Sequence, residues 1–349
     1  MPPERSRNIQ YINRLRILAI YLVVTAHVAI WLAMEAEPFT FDWWVGAWLF
    51  YLGHASIPIF VMISGALLLD DSRHESIRQF YQRRLLRVGV PLTFWTGVYL
   101  AARVFIDGEH LSVARAIRLI LAGDPYYHLW FLYMIFGLYL VTPALRVFVR
   151  CADQAQRLSV IVVGLILANA YFQTDVLLWD DQRSIFTMFL PYIPYYLCGY
   201  ELHRIDPKRV PLRYLVLAVV VSALYLAAFF NVFMARQGGV GVRYLFDFFT
   251  PPLAFLSIGI FWAAYLHDAT SNRVTGIRRT ALEWVASTTL GIYVLHPLVL
   301  EGVRRALSGR AGEGTFIAGV TVVPLITFVV CDLITSMLMN VPILRRTVH

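Results

Sequence analysis

Cysteine is scarce in this chain: Cys151, Cys198 and Cys331 are the only three in 349 residues. They form no CxxC pair and no cysteine–histidine metal spacing, so neither a disulfide framework nor a metal centre is expected. Long polar stretches are missing as well. None exceeds about twenty residues, which leaves no room for a large soluble domain, and a single domain over 1–349 is expected. Lysine is rarer still. Lys208 is the only lysine among 30 basic residues, a bias of coding rather than of binding chemistry. With 22 acids the net charge is +8. The arginines are spread from loop to loop, which is how membrane topology is set, so nucleic acid is not an expected partner. No repeat relates the two halves, which counts against transporter folds built from inverted repeats.

Apolar residues are what the chain has in abundance. They make up 59% of it, aromatics alone 15%, and the mean hydropathy is +0.63. Soluble domains are nearer about 45–50% apolar, so the composition is that of a polytopic membrane protein. Runs of about twenty apolar residues, long enough to span, fall near 13–34, 47–69, 88–106, 127–149, 158–178, 185–203, 212–234, 244–267, 284–307 and 315–341. The run at 185–203 is broken by Pro191 and Pro194. The first run exceeds the roughly 7–15 residues of a signal-peptide core and reads as a retained helix. The expected fold class is all-α, with about ten transmembrane helices.

Ten spans place both termini on one side, and the arginines say which. A cytoplasmic N-terminus puts 21 of the 30 basic residues on the inner side, as the positive-inside rule requires. The first outer loop carries Glu35, Glu37 and Asp42 and no base. The next inner one carries Arg73, Arg78, Arg83, Arg84 and Arg87. Residues 110–122 have the pattern of a short amphipathic helix lying on the outer surface.

Within the first span stand Arg16 and His27. Ionisable groups there are expensive, roughly 2.5–3.5 kcal/mol each on insertion scales, and mark cavities or function. Eleven residues is close to three helical turns, so the two share a face about 16 Å apart along the axis. A plain anchoring arginine and a plain structural histidine are the alternative readings. Arg84 and Arg87, preceded by Arg83, are expected on one helix face at the inner edge. Guanidinium forks suit phosphates bidentately, although lipid headgroups would also satisfy them. Four histidines, His27, His54, His128 and His296, are expected at one depth in the outer half, lining a polar cavity. Pro297 cannot donate to the Tyr293 carbonyl and should loosen the ninth span there. Tyr293 and His296 are neighbours on one face, and Ser287 with Gly291 would let another helix approach.

Five elements in order make the chain similar to a known family. These are Arg16-x10-His27, Ser56-Ile-Pro-Ile-Phe-Val-Met-Ile-Ser-Gly65, Arg84-x-x-Arg87, Tyr127-His-Leu-Trp-Phe-Leu132, and Ser287-x3-Gly291-Ile-Tyr293-x-x-His296-Pro297. Over nearly its whole length the chain resembles the acyltransferase-3 family of bacterial integral-membrane acyltransferases. It looks most like the subgroup that O-acetylates enterobacterial common antigen.

The resemblance implies a multi-pass protein of the bacterial inner membrane. It would move an acyl group, usually acetyl from cytoplasmic acetyl-CoA, onto a sugar hydroxyl of a surface polysaccharide or its lipid-linked precursor. On that expectation His27 and Arg16 are catalytic, and Arg84, Arg87 and Arg83 bind the acyl-CoA phosphates. His54, Ser64, His128, Trp130, Tyr293 and His296 are candidates for the acceptor cavity. Acyl-CoA is a substrate rather than a resident cofactor; glycan and lipids are the other partners, and the oligomeric state is open. The chemistry of the residues agrees: a sugar hydroxyl needs a general base, and histidine titrates in the useful range. Arg16 to His27 is also comparable to the reach of an extended pantetheine arm. A lipid-linked sugar transporter and a non-catalytic subunit of a polysaccharide assembly complex are the competing readings.

Overall fold

The computed structural model describes residues 4–37, 40–70, 75–178, 184–206, 248–270, 275–307 and 315–349, with isolated positions between 213 and 224. All its regular elements among these residues are helical. In chain order they are α1 (Glu4–Glu35), α2 (Phe41–His54), α3 (Ser56–Leu68), α4 (Ile77–Arg84) and, after a π-turn at Leu85–Gly89, α5 (Val90–Phe105). Next come α6 (Val113–Ala122), α7 (Trp130–Cys151) and α8 (Gln154–Leu178), then α9 (Ile193–Arg204) after a 3₁₀ turn at Leu190–Tyr192. The remaining helices are α10 (Pro251–Thr270), α11 (Ile277–Leu307), α12 (Thr315–Met339) and α13 (Pro342–Val348).

Seven helical segments among the described residues are long and apolar enough to cross a membrane. They answer to the spans expected at 13–34, 47–69, 88–106, 127–149, 158–178, 244–267 and 315–341. The other three of the ten are not among them, each for its own reason. Pro191 and Pro194 confine the run at 185–203 to a 12-residue α9 behind a 3₁₀ turn, because proline removes helical donors. The run at 212–234 lies mostly outside the described residues. α11 is 31 residues long, but Ser287, Thr288, Thr289, His296 and Pro297 dilute its apolar run. The second span is also not one rod. It breaks at Ala55, because Pro58 cannot donate to the His54 carbonyl, and α3 starts afresh at Ser56.

The helices form two compact units. In the first (residues 1–63 and 205–338), α1 packs most extensively on α2, and next on α11 and α10. Glycine makes the α1–α2 approach possible. A Cβ on Gly53 would stand 2.4 Å from Ala26 Cβ, and one on Gly46 2.6 Å from Ala33 Cβ. These two contacts are seven residues apart on both helices, so they form one seam. The seam sets Gly53 against Ala26 and thereby brings His54 towards His27. At the start of α1, Arg14 reaches α10, its Nη1 2.9 Å from His267 Nδ1 and 3.6 Å from Asp268 Oδ1. At the far end Val28, Leu300 and Val323 close a small apolar cluster. Gly291 admits α12 as the small-residue spacing predicts: a Cβ there would lie 2.2 Å from Thr335 Cγ2.

In the second unit (residues 64–204 and 339–349), α3 crosses α9 at Gly65. A Cβ at that position would fall 1.8 Å from the Tyr196 carbonyl oxygen, so only glycine fits. Arg157 pairs with buried Glu201 and also donates to the Val149 and Ala152 carbonyls, which ties α8 to α9 and to the end of α7. Trp95 Nε1 donates to the Thr347 carbonyl at 2.9 Å and docks α13 on α5. α6 runs from its Ser112 cap to Gly123 at φ +73, covering most of the amphipathic stretch, and buries none of its residues.

Candidate active site

Three of the four histidines singled out in the sequence lie in the first unit and share one neighbourhood. The rings of His27 (α1) and His296 (α11) are stacked, with centroids 5.2 Å apart and planes 23° from parallel. His54 is the other histidine that bears electrostatically on His27. The Tyr293 ring stands 5.9 Å from that of His296. His296 is fully buried while His27 and His54 are partly exposed.

Local backbone chemistry orients two of these rings. Pro297 has no N–H for the Tyr293 carbonyl, and His296 fills the gap: its Nδ1–H donates to that oxygen at 2.6 Å. A carbonyl only accepts, so the proton sits on Nδ1 and Nε2 keeps its lone pair. His54 does likewise at the break between α2 and α3, Nδ1 donating to the Phe50 carbonyl at 2.8 Å. Its ring is stacked on Phe248, centroids 4.9 Å apart. Two imidazolium charges at the His27–His296 separation would repel by about 3 kcal/mol even at an effective dielectric constant of 20. A second positive charge on the pair is therefore opposed, which leaves a base beside a neutral aromatic partner.

α1 is continuous from Glu4 to Glu35, so Arg16 and His27 do share a helix face about 16 Å apart along the axis. Arg16 is half-buried.

The arginines of the second unit differ from the sequence expectation in one respect. Arg84 immediately precedes a π-turn and Arg87 lies within it; in that turn the Val90 N–H bonds to the Leu85 carbonyl. Pro91 has no N–H for the Arg87 carbonyl and so favours this looser turn. An i→i+5 turn holds more residues than an α-turn, so positions three apart no longer lie on one face. Arg84 is half-buried, whereas Arg83 and Arg87 are exposed. The Arg84 guanidinium lies 5.5 Å from the Phe80 ring centre and 5.9 Å from that of Tyr139. Its Nε is buried and has no hydrogen-bond partner among the described residues. Arg83 pairs with Glu75, Nη1 to Oε1 at 3.1 Å.

The remaining candidates also lie in the second unit. His128 is buried in a turn before α7 and sits in a tyrosine cage, with ring centroids 4.7 Å from Tyr99, 5.5 Å from Tyr127 and 5.9 Å from Tyr126. Trp130 stands 6.1 Å from Tyr192. Ser64 is half-buried on α3 beside the Gly65 crossing. Three of the four histidines are thus brought together within the first unit, while His128 has an aromatic environment of its own within the second. Sequence reading missed Tyr99 and Tyr126 around it, and Glu75 and Arg146 beside the arginines. One signal was available: Trp95, Tyr99 and Arg103 recur every four residues along one face of α5.

Helical segments fit to cross a membrane, carrying histidines and arginines in and beside them, define a multi-pass membrane protein with a polar site. The family model for the acyltransferase domain matches residues 9–336, and the chain belongs to the acyltransferase-3 family. It is a membrane acyltransferase. No curated protein and no solved structure matches the chain.

Proposed function

We propose that this acyltransferase O-acetylates a glycan, moving an acetyl group from acetyl-CoA to a sugar hydroxyl of a surface polysaccharide or its lipid-linked precursor. The observation that carries this reading is the stacking of His296 on His27, which stands on the helix that also bears Arg16. It supplies a base with a neutral aromatic neighbour, and a cation about 16 Å away, within reach of an extended thioester arm. His27 takes the proton of the sugar hydroxyl, whose oxygen attacks the thioester carbonyl. The carbon–sulfur bond then breaks, and the CoA thiolate leaves with the proton from His27. We favour this direct transfer over an acyl-histidine intermediate.

Arg84 and Arg87, with Arg83, take the donor's phosphates, and Arg16 contacts the same substrate along α1. His54, Tyr293 and His296 line the acceptor side, with Ser64, His128 and Trp130 as further contacts for the sugar. Positive-inside topology supports a cytoplasmic N- and C-terminus in the bacterial inner membrane, with the donor entering from the cytoplasm. The stretch from Tyr127 to Pro143 and the compact length look most like the antigen-acetylating subgroup, and we read the chain as one of its members.

The test has two parts. Purified protein is to consume acetyl-CoA when given an oligosaccharide acceptor, and deletion of the protein from its host is to remove O-acetyl esters from a surface glycan. A lipid-linked sugar transporter or an assembly subunit would leave acetyl-CoA untouched, which would refute the proposal.

A further inference from the structure

Glu75 stands just before α4 with its side chain only 4% exposed. Its Oε1 is 3.1 Å from Arg83 Nη1 and its Oε2 3.9 Å from Arg146 Nη2. It is also an electrostatic neighbour of Arg84, as is Arg87. Arg146 is itself buried and fixed: Nε donates to the Leu68 carbonyl at 2.7 Å, and the Phe80 ring centre is 4.6 Å from its guanidinium. Three guanidinium groups, those of Arg83, Arg146 and Arg84, thus bear on one carboxylate. A carboxylate leaves water only where cations compensate it, and here three positive charges face one negative. The unused donor capacity is visible at the buried Arg84 Nε, which has no partner among the described residues.

We propose that Glu75 is an internal stand-in for the donor's phosphates, holding Arg83 in the free protein and yielding it when a polyanion enters. The inference rests on reading Arg84 and Arg87 as the acyl-CoA site. Such a carboxylate sets donor specificity. It repels any anion that approaches Arg83, and a ligand with several phosphates recovers enough from Arg84 and Arg87 to displace it. A singly charged lipid headgroup does not. The placement agrees with this division: Arg146 is anchored to backbone and ring, whereas Arg83 is 63% exposed on its side chain and free to swing from Glu75 to a ligand.

The experiment measures CoA binding by calorimetry on the full chain in nanodiscs of zwitterionic lipid. Glu75→Gln keeps the size of the side chain and removes its charge. It is to bind CoA about tenfold more tightly than wild type, with a steeper loss on adding salt. In an Arg83→Gln background the same change is to gain less than twofold, because the displaced partner is gone. Should Glu75→Gln not fold, Glu75→Asp, which withdraws the carboxylate from Arg83, is to show an intermediate gain. Repeating the titration in anionic lipid separates sources: the gain persists if free CoA is the ligand and disappears if headgroups fill the cluster in the variant. A purely structural Glu75 would give unchanged or weaker CoA binding in folded variants, and that result overturns the proposal. If Arg84→Ala/Arg87→Ala abolishes CoA binding while Glu75→Gln gains nothing, only the stand-in role fails. If the double alanine variant binds CoA like wild type, the donor site itself is misassigned and the Glu75 proposal falls with it.

Discussion

His296 donates from Nδ1 to the carbonyl oxygen of Tyr293 at 2.6 Å, and Pro297 is the reason that oxygen needs a donor. In a regular helix the residue at 297 would supply its N–H. The imidazole replaces it, and in doing so fixes its own tautomer and ring plane against His27. A proline that weakens a helix thus orients a side chain of the candidate site. Pro297→Ala would restore the backbone bond and release the ring. Alanine is favoured over proline in a helix interior by up to about 3 kcal/mol, so the thermal midpoint is to stay level or rise. Turnover is to fall at least about tenfold, with KM for acyl-CoA within about twofold, as expected for loss of a transition-state contact. Steady-state kinetics beside a melting curve separate the two effects, and a variant that is both stable and fully active would remove the role assigned to the lock.

His27→Ala is to insert and fold while losing about 10²–10⁴-fold in kcat, the range for a lone general base. Acetyl-CoA consumption in the purified variant is the measurement. Wild-type turnover would end the assignment of His27 as the base.

Arg84→Ala/Arg87→Ala is to weaken CoA binding at least about tenfold without changing acceptor affinity, since each charge-assisted contact contributes about 1.5–3 kcal/mol. Lysine at both positions is to rescue only part of it, because an ammonium lacks the planar fork. Dephospho-CoA in the same titration shows whether the 3′-phosphate is one of the groups recognised.

Gly65→Ala is to destabilise the second unit severely. Its Cβ would meet a backbone oxygen at 1.8 Å, which no rotamer change relieves, so the cost is to exceed the usual 1–3 kcal/mol of overpacking, by about 1 kcal/mol or more. Thermal unfolding in detergent checks this, with Gly97→Ala, which meets nothing within 4 Å, as the control.

Arg157→Ala would strand the Glu201 carboxylate, whose side chain is 5% exposed. Breaking a buried pair from one side costs about 3–5 kcal/mol. Removing both partners, as Arg157→Met/Glu201→Leu, is to recover much of the loss. A double-mutant cycle on melting temperature reads this directly, and a double variant whose loss equals the sum of the two single losses would show the pair to be unimportant.

The arginine cluster shows where sequence reading stops. Spacing alone put Arg84 and Arg87 on one face, because an α-helix is the default for two charges three positions apart. The π-turn ahead of Pro91 overrode it, leaving Arg84 half-buried between aromatic rings and Arg87 exposed. Glu75 was one acid in a basic loop, and nothing local marked it as the partner of Arg83 and Arg146. The stacking of His296 on His27 was hidden for a similar reason: depth along a helix is legible from the position in its span, but which helices stand together is not.

The sequence by itself determined the class of the chain, most of its spans, the shared face of Arg16 and His27, and the disturbance at Pro297, because hydropathy, helical period and proline's missing N–H are properties of neighbouring residues. Only the tertiary structure decided that His296 stacks on His27, that His128 is caged by tyrosines, and that Glu75 lies among arginines. Those contacts join residues far apart in the chain, through helix crossings whose closeness depends on what Gly53, Gly65 and Gly291 meet on the opposite helix.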